Sequence, residues 1–278
     1  MEINNFVVIE SVYGKFIVNR HCDFQADALI KTGKTHIEQE LANIFVIIDR
    51  LPPGAVVVDG GANIGFFTVP VAQRRKDISI LSFEPQRMIH NALAGTLALN
   101  DINNVILHYA ALGCEQRWLT IPDVDYSKPQ DFGMVRLDKR VHVPYNQWTD
   151  PRLSLTVQID ELELDRLDFI KLDVEGFEYE ALSGAGESID KFHPWIWVEY
   201  MLVGEKAIVD VLDSMGLGDD YDCYIADYQN MLCVPKDKAD QIDTSQLKKV
   251  SKISLLPAAP SNILSTATDA TVKEILVT

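Results

Sequence analysis

The stretch V-V-V-D-G-G-A-N-I-G, residues 56–65, decides the fold of this chain. Its run of valines favours a strand that is covered on both faces, as the strands of parallel sheets are. A turn begins at Asp59, where Gly60 and Gly61 permit backbone angles closed to other residues and Gly65 lets the next helix pack tightly. A buried strand that leads through such a turn into a helix usually holds a nucleotide-like cofactor, although an ordinary tight connection has the same local sequence.

Strand-like and helix-like segments alternate on either side of this stretch. Apolar runs predict further strands at residues 78–83, 105–109, 167–172 and 195–199. Apolar residues at helical spacing predict helices at residues 36–49, 64–73 and 85–99, with others starting at Tyr179 and Glu205. Residues 6–18 form two apolar runs around Tyr13 and Gly14, which is typical of a hairpin. The alternation predicts an α/β protein with a doubly wound, Rossmann-like sheet.

The chain is long enough for one sizeable core. Its 278 residues and 47% hydrophobic content favour a single α/β domain over two small ones. We expect residues 1–50 to form a hairpin and helix extension packed on a core of residues 51–235. Residues 122–151 are irregular and aromatic, which predicts an ordered loop at the substrate, with a disordered insertion as the alternative. Residues 236–278 are rich in Ser, Thr and Ala and predict a loosely attached tail.

Charge and cysteine usage narrow the class of partner. The formal net charge of -16 and the pI near 4.7 argue against nucleic acid, which normally needs a basic face. No apolar run reaches the length of a membrane span, and the first residues lack the layout of a signal peptide, so we expect a cytoplasmic protein. The four cysteines show neither a C-x-x-C pair nor a histidine at metal-ligand spacing, which favours reduced structural thiols.

Two acidic residues lie where a cofactor over the glycine turn would be. Glu84 ends the second predicted strand, 25 residues after Asp59, where a carboxylate can accept both ribose hydroxyls of a nucleoside. The alternative is an acid that interacts favourably with the dipole of the next helix. Asp59 ends the first strand and faces the same crevice, where it binds the cofactor or merely fixes the turn.

A second charged cluster is D-F-I-K-L-D-V-E-G-F-E, residues 168–178. Strand alternation places Lys171 and Asp173 on one side, and the end of the strand places Asp173 and Glu175 at the mouth of the crevice. Glu199, which ends the next apolar strand, belongs to the same rim. A structural alternative remains, since Glu175 could cap the following helix and Lys171 could simply neutralise Asp173.

Taken together, these segments resemble the FkbM family of S-adenosylmethionine-dependent methyltransferases. The resemblance rests on D-G-G-A-N-I-G-F-F-T (59–68), F-E-P (83–85), A-A-L-G (110–113), I-K-L-D-V-E-G-F-E (170–178) and H-P-W-I-W-V-E (193–199). It implies a seven-stranded, mostly parallel sheet that ends in an antiparallel hairpin, for which Y-D-C-Y-I-A-D-Y-Q-N-M-L-C-V-P (221–235) is suited. Gly60 stands where valine is commoner in the family. The loop and the tail are not covered.

The resemblance also implies S-adenosylmethionine as the cofactor. Asp59, Gly61 and Asn63 would surround its methionine end, Glu84 would take the ribose hydroxyls, and Ala110 or Ala111 would lie beside the adenine. A carboxylate-rich crevice suits an electron-poor sulfonium better than a basic one does. The full set of expected cofactor contacts is Asp59, Gly60, Gly61, Ala62, Asn63, Glu84, Ala110 and Ala111.

Methyl transfer to an alcohol needs alignment and a base for the hydroxyl proton. We expect Asp173 to be that base, with Glu175 or Glu199 as its partner and Lys171 orienting or tuning it. Alternatively, the same carboxylates hold a divalent cation that binds a sugar diol. Three histidines are further base candidates, although a structural role is more common for such residues: His36, His142 and His193.

The resemblance implies a hydroxyl of a sugar or of a polyketide-type compound as the acceptor, and the sequence favours the sugar, because Tyr126, Tyr145 and Trp148 could stack on a sugar ring. The same aromatics could instead pack the loop against the sheet, and a polyketide-type acceptor remains the alternative. A nicotinamide-dependent oxidoreductase shares the glycine turn and the distal acid, but it would show G-x-G-x-x-G, whereas Ala62 and Asn63 occupy the middle here. A binding module without chemistry would have no use for an acidic rim.

Overall fold

A computed structural model of the chain describes residues 4–22, 25–122, 124–136 and 153–250. The strands, in chain order, are β1 (Phe6–Ser11), β2 (Gly14–Asn19), β3 (Val56–Gly60), β4 (Ser79–Phe83), β5 (Val105–His108), β6 (Ala110–Leu112), β7 (Arg117–Thr120), β8 (Leu153–Val157), β9 (Phe169–Leu172), β10 (Trp195–Glu199), β11 (Tyr221–Ile225), β12 (Asn230–Pro235) and β13 (Lys248–Lys249). The helices are α1 (Gln25–Thr32), α2 (Glu38–Ile48), α3 (Thr68–Arg74), α4 (Arg87–Leu99), α5 (Glu178–Ser183), α6 (Gly186–Phe192) and α7 (Glu205–Ser214), with 3-10 turns at Asp160–Leu162 and Lys236–Gln241.

The central sheet has the strand order β13-β11-β12-β10-β9-β3-β4-β5. The five strands from β10 to β5 run parallel, and β12 lies antiparallel to both β10 and β11. This confirms the predicted α/β fold with an antiparallel hairpin. The strand count is eight rather than the expected seven, because Lys248 and Lys249 pair with β11 as a two-residue edge strand.

The order of the strands places a crevice at the centre of the sheet. The chain runs outward from β3 to β4 and β5, and it then returns to β9 on the opposite side of β3. Connections on the two sides of such a reversal lead away from each other, so they leave an opening at the carboxyl ends of the central strands. Here the opening lies over β3 and β9.

Apolar side chains cover both faces of the sheet, which explains why β9 and β10 are uninterrupted apolar runs apart from Lys171 and Glu199. On one face α2 and α3 pack through Ile44 and Val71, and on the other face α5, α6 and α7 form the larger core. Each fully buried leucine or isoleucine contributes about 1.5–3 kcal/mol relative to an exposed one. The central strands are therefore a stiff base for the residues at their ends.

The N-terminal hairpin packs against α4. The main-chain N–H of Ile17 in β2 donates to Thr96 Oγ1 at 2.9 Å, and Phe16 and Val18 are fully buried in a third apolar cluster with α1 and α4. Helix α1 is an element that the sequence analysis missed, since its short apolar pattern did not stand out. Residues 4–22 and 25–50 thus lie on the core through β2, α1 and α2.

A second sheet, of order β6-β8-β7, is also absent from the sequence prediction. Strand β5 ends at His108, and the chain then leaves the central sheet to pair Ala110–Leu112 in parallel with β8. Because β8 lies more than forty residues further along the chain, no local sequence pattern predicts this strand pairing. The second sheet brings β6 to the edge of the crevice.

Helices α3 and α4, like α2, start later than expected. Helix α3 begins at Thr68 rather than at Ile64, because Asn63 and Gly65 have φ of +50° and +95°, which an α-helix does not accommodate. Helix α4 begins at Arg87 rather than at Pro85, since Gln86 is extended with ψ of 110°. Both delays lengthen the turns that follow β3 and β4.

The loop and the tail are described only in part. Within residues 124–136, Tyr126 packs its ring 5.0 Å from that of Phe132 and 6.0 Å from that of Phe6, so it joins the loop to the N-terminal hairpin. Tyr145, Trp148 and residues 251–278 lie outside the described residues. No helix in the described ranges has the length and apolarity to cross a bilayer. No disulfide joins the four cysteines, each of which is described.

Candidate active site

A cavity of about 710 Å³ opens at the carboxyl ends of the central strands. One side of its wall, here called the glycine-turn half, consists of Gly61, Asn63, Glu84, Ala111 and Leu112. The other side, here called the carboxylate half, consists of Asp173, Glu175, Glu199, Asp227 and Tyr228. The cavity therefore lies at the strand reversal, where ligands of open α/β sheets bind.

The turn after β3 owes its shape to Gly61. This residue has φ of +75°, and a Cβ atom there would lie 1.7 Å from the carbonyl oxygen of Asp173. Asn63 follows in the left-handed region, and its Oδ1 accepts from the N–H of Ile64 at 2.8 Å. Gly60 differs from the expectation, because it ends β3 without a positive φ and is needed instead for its small size beside Leu112. The two halves of the cavity thus touch at Gly61.

Glu84 is held rigidly across this turn. Its side chain is buried, Oε2 accepts from the N–H of Asn63 at 2.9 Å, and Oε1 accepts from the N–H of Gln86 at 2.7 Å. Burial raises the pKa of Glu84 to about 7, although the two N–H groups favour the ionised form. The bond from Gln86, the N-cap residue of α4, agrees with the helix-terminus alternative, and the position of Glu84 in the cavity wall leaves the cofactor role open as well.

The predicted cofactor positions divide into two groups. Gly61, Asn63, Glu84 and Ala111 line the cavity. The remaining four are buried and support that wall from behind: Asp59, Gly60, Ala62 and Ala110.

Asp59 and Lys171 form a buried charge cluster beneath the turn. Asp59 is fully buried, and its Oδ2 accepts from the hydroxyl of Thr68. Lys171 Nζ lies 3.7 Å from Asp59 Oδ1 and 3.3 Å from Asp173 Oδ2. Burial alone would lower the pKa of Lys171, but the charges of Asp173, Asp59 and Glu40 raise it, so it remains an ammonium group and cannot act as a base. Burial raises the pKa of Asp59 despite the attraction of Lys171.

The turn after β9 presents Asp173 and Glu175 to the cavity. Glu175 has φ of +54° and Gly176 has φ of +97°, and the turn is closed by Glu178, whose Oε1 accepts from the N–H groups of Val174 at 3.0 Å and Gly176 at 3.2 Å. Glu178 therefore caps this turn, and the capping alternative for Glu175 is wrong. Burial, followed by repulsion from Asp173 and Glu178, raises the pKa of Glu175 to about 7. Left-handed backbone at a non-glycine residue is typical of functional sites.

Glu199 is a further buried acid of the carboxylate half. It ends β10, is 9% exposed, and its Oε2 has no hydrogen-bond partner among the described residues. Burial raises the pKa of Glu199 to about 8, and the negative charges of Asp173, Glu175 and Glu178 add to the effect. The group therefore holds a proton more tightly than an exposed glutamate does.

Helix α2 supplies a carboxyl group that the sequence analysis missed. Glu40 lines the cavity and accepts from the indole N–H of Trp197 at 3.0 Å, and burial raises its pKa to about 7. A signal was present in the sequence, because Glu40 lies one helical turn from Ile37 and Ile44 on the apolar face of the helix. A carboxylate on such a face needs a partner or a function.

The hairpin between β11 and β12 closes the carboxylate half. Asp227 Oδ1 accepts from the main-chain N–H groups of Gln229 at 2.9 Å and Asn230 at 2.8 Å, which orders the turn. The same turn places Tyr228 at the rim with 79% of its surface exposed. The hairpin was predicted, but its contribution to the site was not, since the predicted turn gave no sign that it faces the cavity.

The three histidines have different positions. His36 lines the cavity, and burial lowers its pKa, so its imidazole is neutral at neutral pH. His193 lies before β10, at the opposite end of the sheet, with Nδ1 3.6 Å from Asp237 Oδ1. It takes no part in this cavity. His142 lies outside the described residues.

The residues present suit an adenosyl cofactor better than a metal ion. Within the described ranges, no group of three or more His, Cys, Asp and Glu side chains has the arrangement that could hold a metal, so the divalent cation of the sequence analysis finds no support. The glycine-turn half, by contrast, offers a close approach to main chain at Gly61 and an oriented carboxylate at Glu84.

Comparisons with known proteins identify a methyltransferase family. The family model of the methyltransferase FkbM domain matches residues 59–222. Methyltransferase sdnD of Sordaria araneosa is 28% identical over 166 residues, which cover 50% of this chain and 64% of that protein. Methyltransferase 1 of Beauveria bassiana is 24% identical over 201 residues, which cover 65% of this chain and 76% of that protein.

Among solved structures, methyltransferase FkbM from Methylobacillus flagellatus KT is 21% identical, with a TM-score of 0.48, and the match covers 66% of this chain and 44% of that one. The chain thus spans less than two thirds of sdnD and less than half of the crystallised protein.

Proposed function

This chain belongs to the FkbM methyltransferase family, and we propose that it transfers a methyl group from S-adenosylmethionine to a hydroxyl oxygen of a sugar. The observation that carries the proposal is the single cavity, which joins a glycine turn and an oriented Glu84 to the carboxylates of Asp173, Glu175 and Glu199. One half suits a nucleoside, and the other half suits the deprotonation of an alcohol.

The glycine-turn half would hold the cofactor. Glu84 offers its remaining lone pairs to the ribose hydroxyls, because each oxygen already accepts one main-chain N–H and is fixed in orientation. Ala111 and Leu112 of β6 provide an apolar wall for the adenine. S-adenosylmethionine, when bound, supplies a methyl carbon that is already activated by the sulfonium.

In the carboxylate half, Asp173 would receive the hydroxyl proton. Its side chain is 42% exposed, so an acceptor can reach it, and Lys171 Nζ lies 3.3 Å from its Oδ2. Burial raises the pKa of both Glu175 and Glu199, so these two groups hold a proton more tightly than an exposed glutamate does. We therefore assign the role of base to Asp173, the accessible carboxyl group beside Lys171.

The rim favours a sugar as the acceptor. Amide and carboxylate groups of Gln39, Asp227 and Gln229 line the cavity and match the hydroxyls of a carbohydrate, and Tyr228 offers an exposed ring face. This support differs from the sequence argument, since Tyr126 packs inside the loop. The acidic chain, with a net charge of -16, also favours a small acceptor over nucleic acid.

A polyketide-type acceptor is the second candidate. Met134, Met201 and Leu202 line the same cavity and form an apolar strip on which such a molecule would pack. The two candidates differ in the kind of contact they need: hydrogen bonds for the sugar and apolar area for the polyketide.

Two measurements test the proposal. Calorimetry should show saturable binding of S-adenosylmethionine and no binding of NAD. Incubation with S-adenosylmethionine and a panel of sugars and glycosides should add one methyl group, detected by mass spectrometry and placed on oxygen by NMR. Binding of NAD alone, or methyl transfer to polyketide hydroxyls with every sugar unmodified, would overturn the proposal.

A further inference from the structure

The cavity has more acidic side chains than methyl transfer to an alcohol requires. Among the lining residues that the structure describes, seven are acidic and none is a lysine or an arginine. In the function proposed above, Glu84 binds ribose and Asp173 takes a proton. The carboxylates of Glu175 and Glu199 remain without such a role, although both face the acceptor side.

The positive charge of Lys171 does not neutralise Glu175 and Glu199. Its ammonium is buried between Asp59 and Asp173, with distances of 3.7 Å and 3.3 Å, and its charge is thus matched by these two carboxyl groups. Among the effects on the pKa of Glu199, the attraction of Lys171 is the weakest, and the repulsions of Asp173, Glu175 and Glu178 exceed it. The guanidinium of Arg136 lies 3.5 Å from the Cβ position of Gly176, so this side has one neighbouring cation, but its carboxyl groups outnumber it.

Glu199 adds an independent sign of a ligand. It is 9% exposed, it lines the cavity, and its Oε2 has no hydrogen-bond partner in the described part of the chain. Buried polar atoms are nearly always satisfied, so an exception at the wall of a cavity points to a group that arrives from outside. Because Oε2 of Glu199 lies among other carboxyl groups, the ligand group that suits it is a hydrogen-bond donor with a positive charge.

We infer that the carboxylate half binds a protonated amine of the acceptor, held by Glu199 and Glu175, beside the hydroxyl that is methylated. This inference rests on the proposed function and deepens it: the acceptor is an amino sugar or an aminoglycoside-like compound. An ammonium group has three N–H donors and no acceptor, which matches carboxyl oxygens that lack donors of their own. Charge-assisted bonds of this kind are about twice as strong as neutral ones.

Other cations fit less well. A divalent metal ion would need several oxygen ligands in one place, and no such group exists among the described residues. The amino group of the cofactor would lie near Gly61, at the end of β3, whereas Glu199 ends β10 two strands away. At the usual spacing of neighbouring strands, that separation is roughly 10 Å.

The arrangement also determines which atom is methylated. A nitrogen that is protonated and bound by two carboxylates has no lone pair for attack on the methyl carbon. The hydroxyl oxygen attacks instead, its proton goes to Asp173, and the bond between carbon and sulfur breaks to leave the neutral thioether. The amine keeps its proton throughout, so the product carries an O-methyl group and an unmodified ammonium.

Matched acceptors test the inference. We would compare methyl glycosides that differ at one carbon only, with an ammonium, a hydroxyl or an N-acetyl group. The wild-type protein should use the ammonium member with a kcat/KM at least about tenfold above both neutral members. In Glu199→Gln this preference should fall to within about threefold, while the KM for S-adenosylmethionine stays within about twofold, as the loss of one charge-assisted bond predicts.

Glu161→Gln is the control, because Glu161 is an exposed acid on the 3-10 turn Asp160–Leu162 and should leave the preference intact. Equal use of all three sugars would overturn the inference and leave the proposed function standing. A Glu199→Gln protein that keeps the preference but binds S-adenosylmethionine weakly would also overturn it, since the carboxyl group would then serve the cofactor.

A binding measurement separates the two proposals when no sugar is methylated. Calorimetry with the protein saturated in S-adenosylhomocysteine should show glucosamine binding at least about tenfold more tightly than glucose, because only glucosamine offers an ammonium. No turnover with this preference intact would contradict the proposed function alone. No preference for glucosamine would overturn the inference as well.

Discussion

Glu84 and Glu199 occupy equivalent positions in the two halves of the cavity, yet their carboxyl groups differ in hydrogen-bond partners. Glu84 directly follows β4 and Glu199 ends β10, both are buried, and burial raises the pKa of the first to about 7 and of the second to about 8. Glu84 accepts two main-chain N–H groups, whereas Glu199 has an Oε2 without a partner among the described residues. The glycine-turn half thus satisfies the carboxyl group of Glu84 by itself, whereas an oxygen of Glu199 stays open in the half where we propose that the acceptor binds.

The largest expected effect comes from the carboxylate half. Asp173→Asn removes the proposed base while keeping the shape of the side chain, so turnover should fall by about 10²–10⁴-fold. Binding of S-adenosylmethionine should stay within a few fold, because Glu84 and the glycine turn are untouched. Single-turnover kinetics and calorimetry on the same preparation check both. Turnover at the wild-type rate would remove Asp173 from the mechanism.

The second-largest effect, on folding stability, is expected at Gly61, where the two halves of the cavity touch. Gly61→Ala puts a Cβ atom 1.7 Å from the carbonyl oxygen of Asp173 at a positive φ, so the turn must move and folding should lose about 3 kcal/mol. Urea unfolding measures the loss. Gly33→Ala is the matched control, because Gly33 also has a positive φ but no atom within 4 Å of its Cβ position, and it should cost only about 1 kcal/mol. Similar losses in both variants would show that backbone strain alone explains the result.

A smaller effect is expected in the glycine-turn half. Glu84→Gln replaces one accepting oxygen with an amide that cannot accept from Asn63 or Gln86, so the affinity for S-adenosylmethionine should fall by about tenfold. The rate constant of the chemical step should change less, because Glu84 contacts no reacting atom. Calorimetric titration of the cofactor is the measurement. An unchanged dissociation constant would contradict the assignment of Glu84 to the ribose.

The smallest effect is a pH dependence of stability. The pKa of Glu199 is raised from 4.5 to about 8 on folding, so its contribution is fully present below pH 4.5 and is lost as the pH rises through 8. The wild-type protein should therefore lose more stability between pH 5 and pH 8.5 than Glu199→Gln does, by an amount on the order of 1 kcal/mol. Urea unfolding at a series of pH values tests this. Identical pH profiles would show that Glu199 is not buried among charges.

The sequence predicted the parts of the fold whose signals are local. Trp195–Glu199 has the expected limits because it is a continuous apolar run, and the strands Tyr221–Ile225 and Asn230–Pro235 fill the segment where the family resemblance implied a hairpin. The second sheet escaped prediction, since β8 pairs with strands about forty residues earlier in the chain. Among site residues, Glu84 and Asp173 could be predicted because each directly follows a strand. Glu40 could not, because its hydrogen-bond partner Trp197 lies 157 residues later in the chain. Contacts of that separation depend on packing, which no short pattern encodes.

The hydrogen bond between Glu40 and Trp197 has a consequence for how this family could diversify. It ties helix α2 to the middle of the sheet, and α2 lies before residue 59, where the match to the family model begins. The hairpin turn with Asp227 and Tyr228 lies beyond residue 222, where that match ends. Under the proposed function, substitutions in these two flanking segments are expected to change the shape and charge of the carboxylate half while the glycine-turn half keeps its structure. Acceptor specificity is then open to engineering at the edges of the cavity.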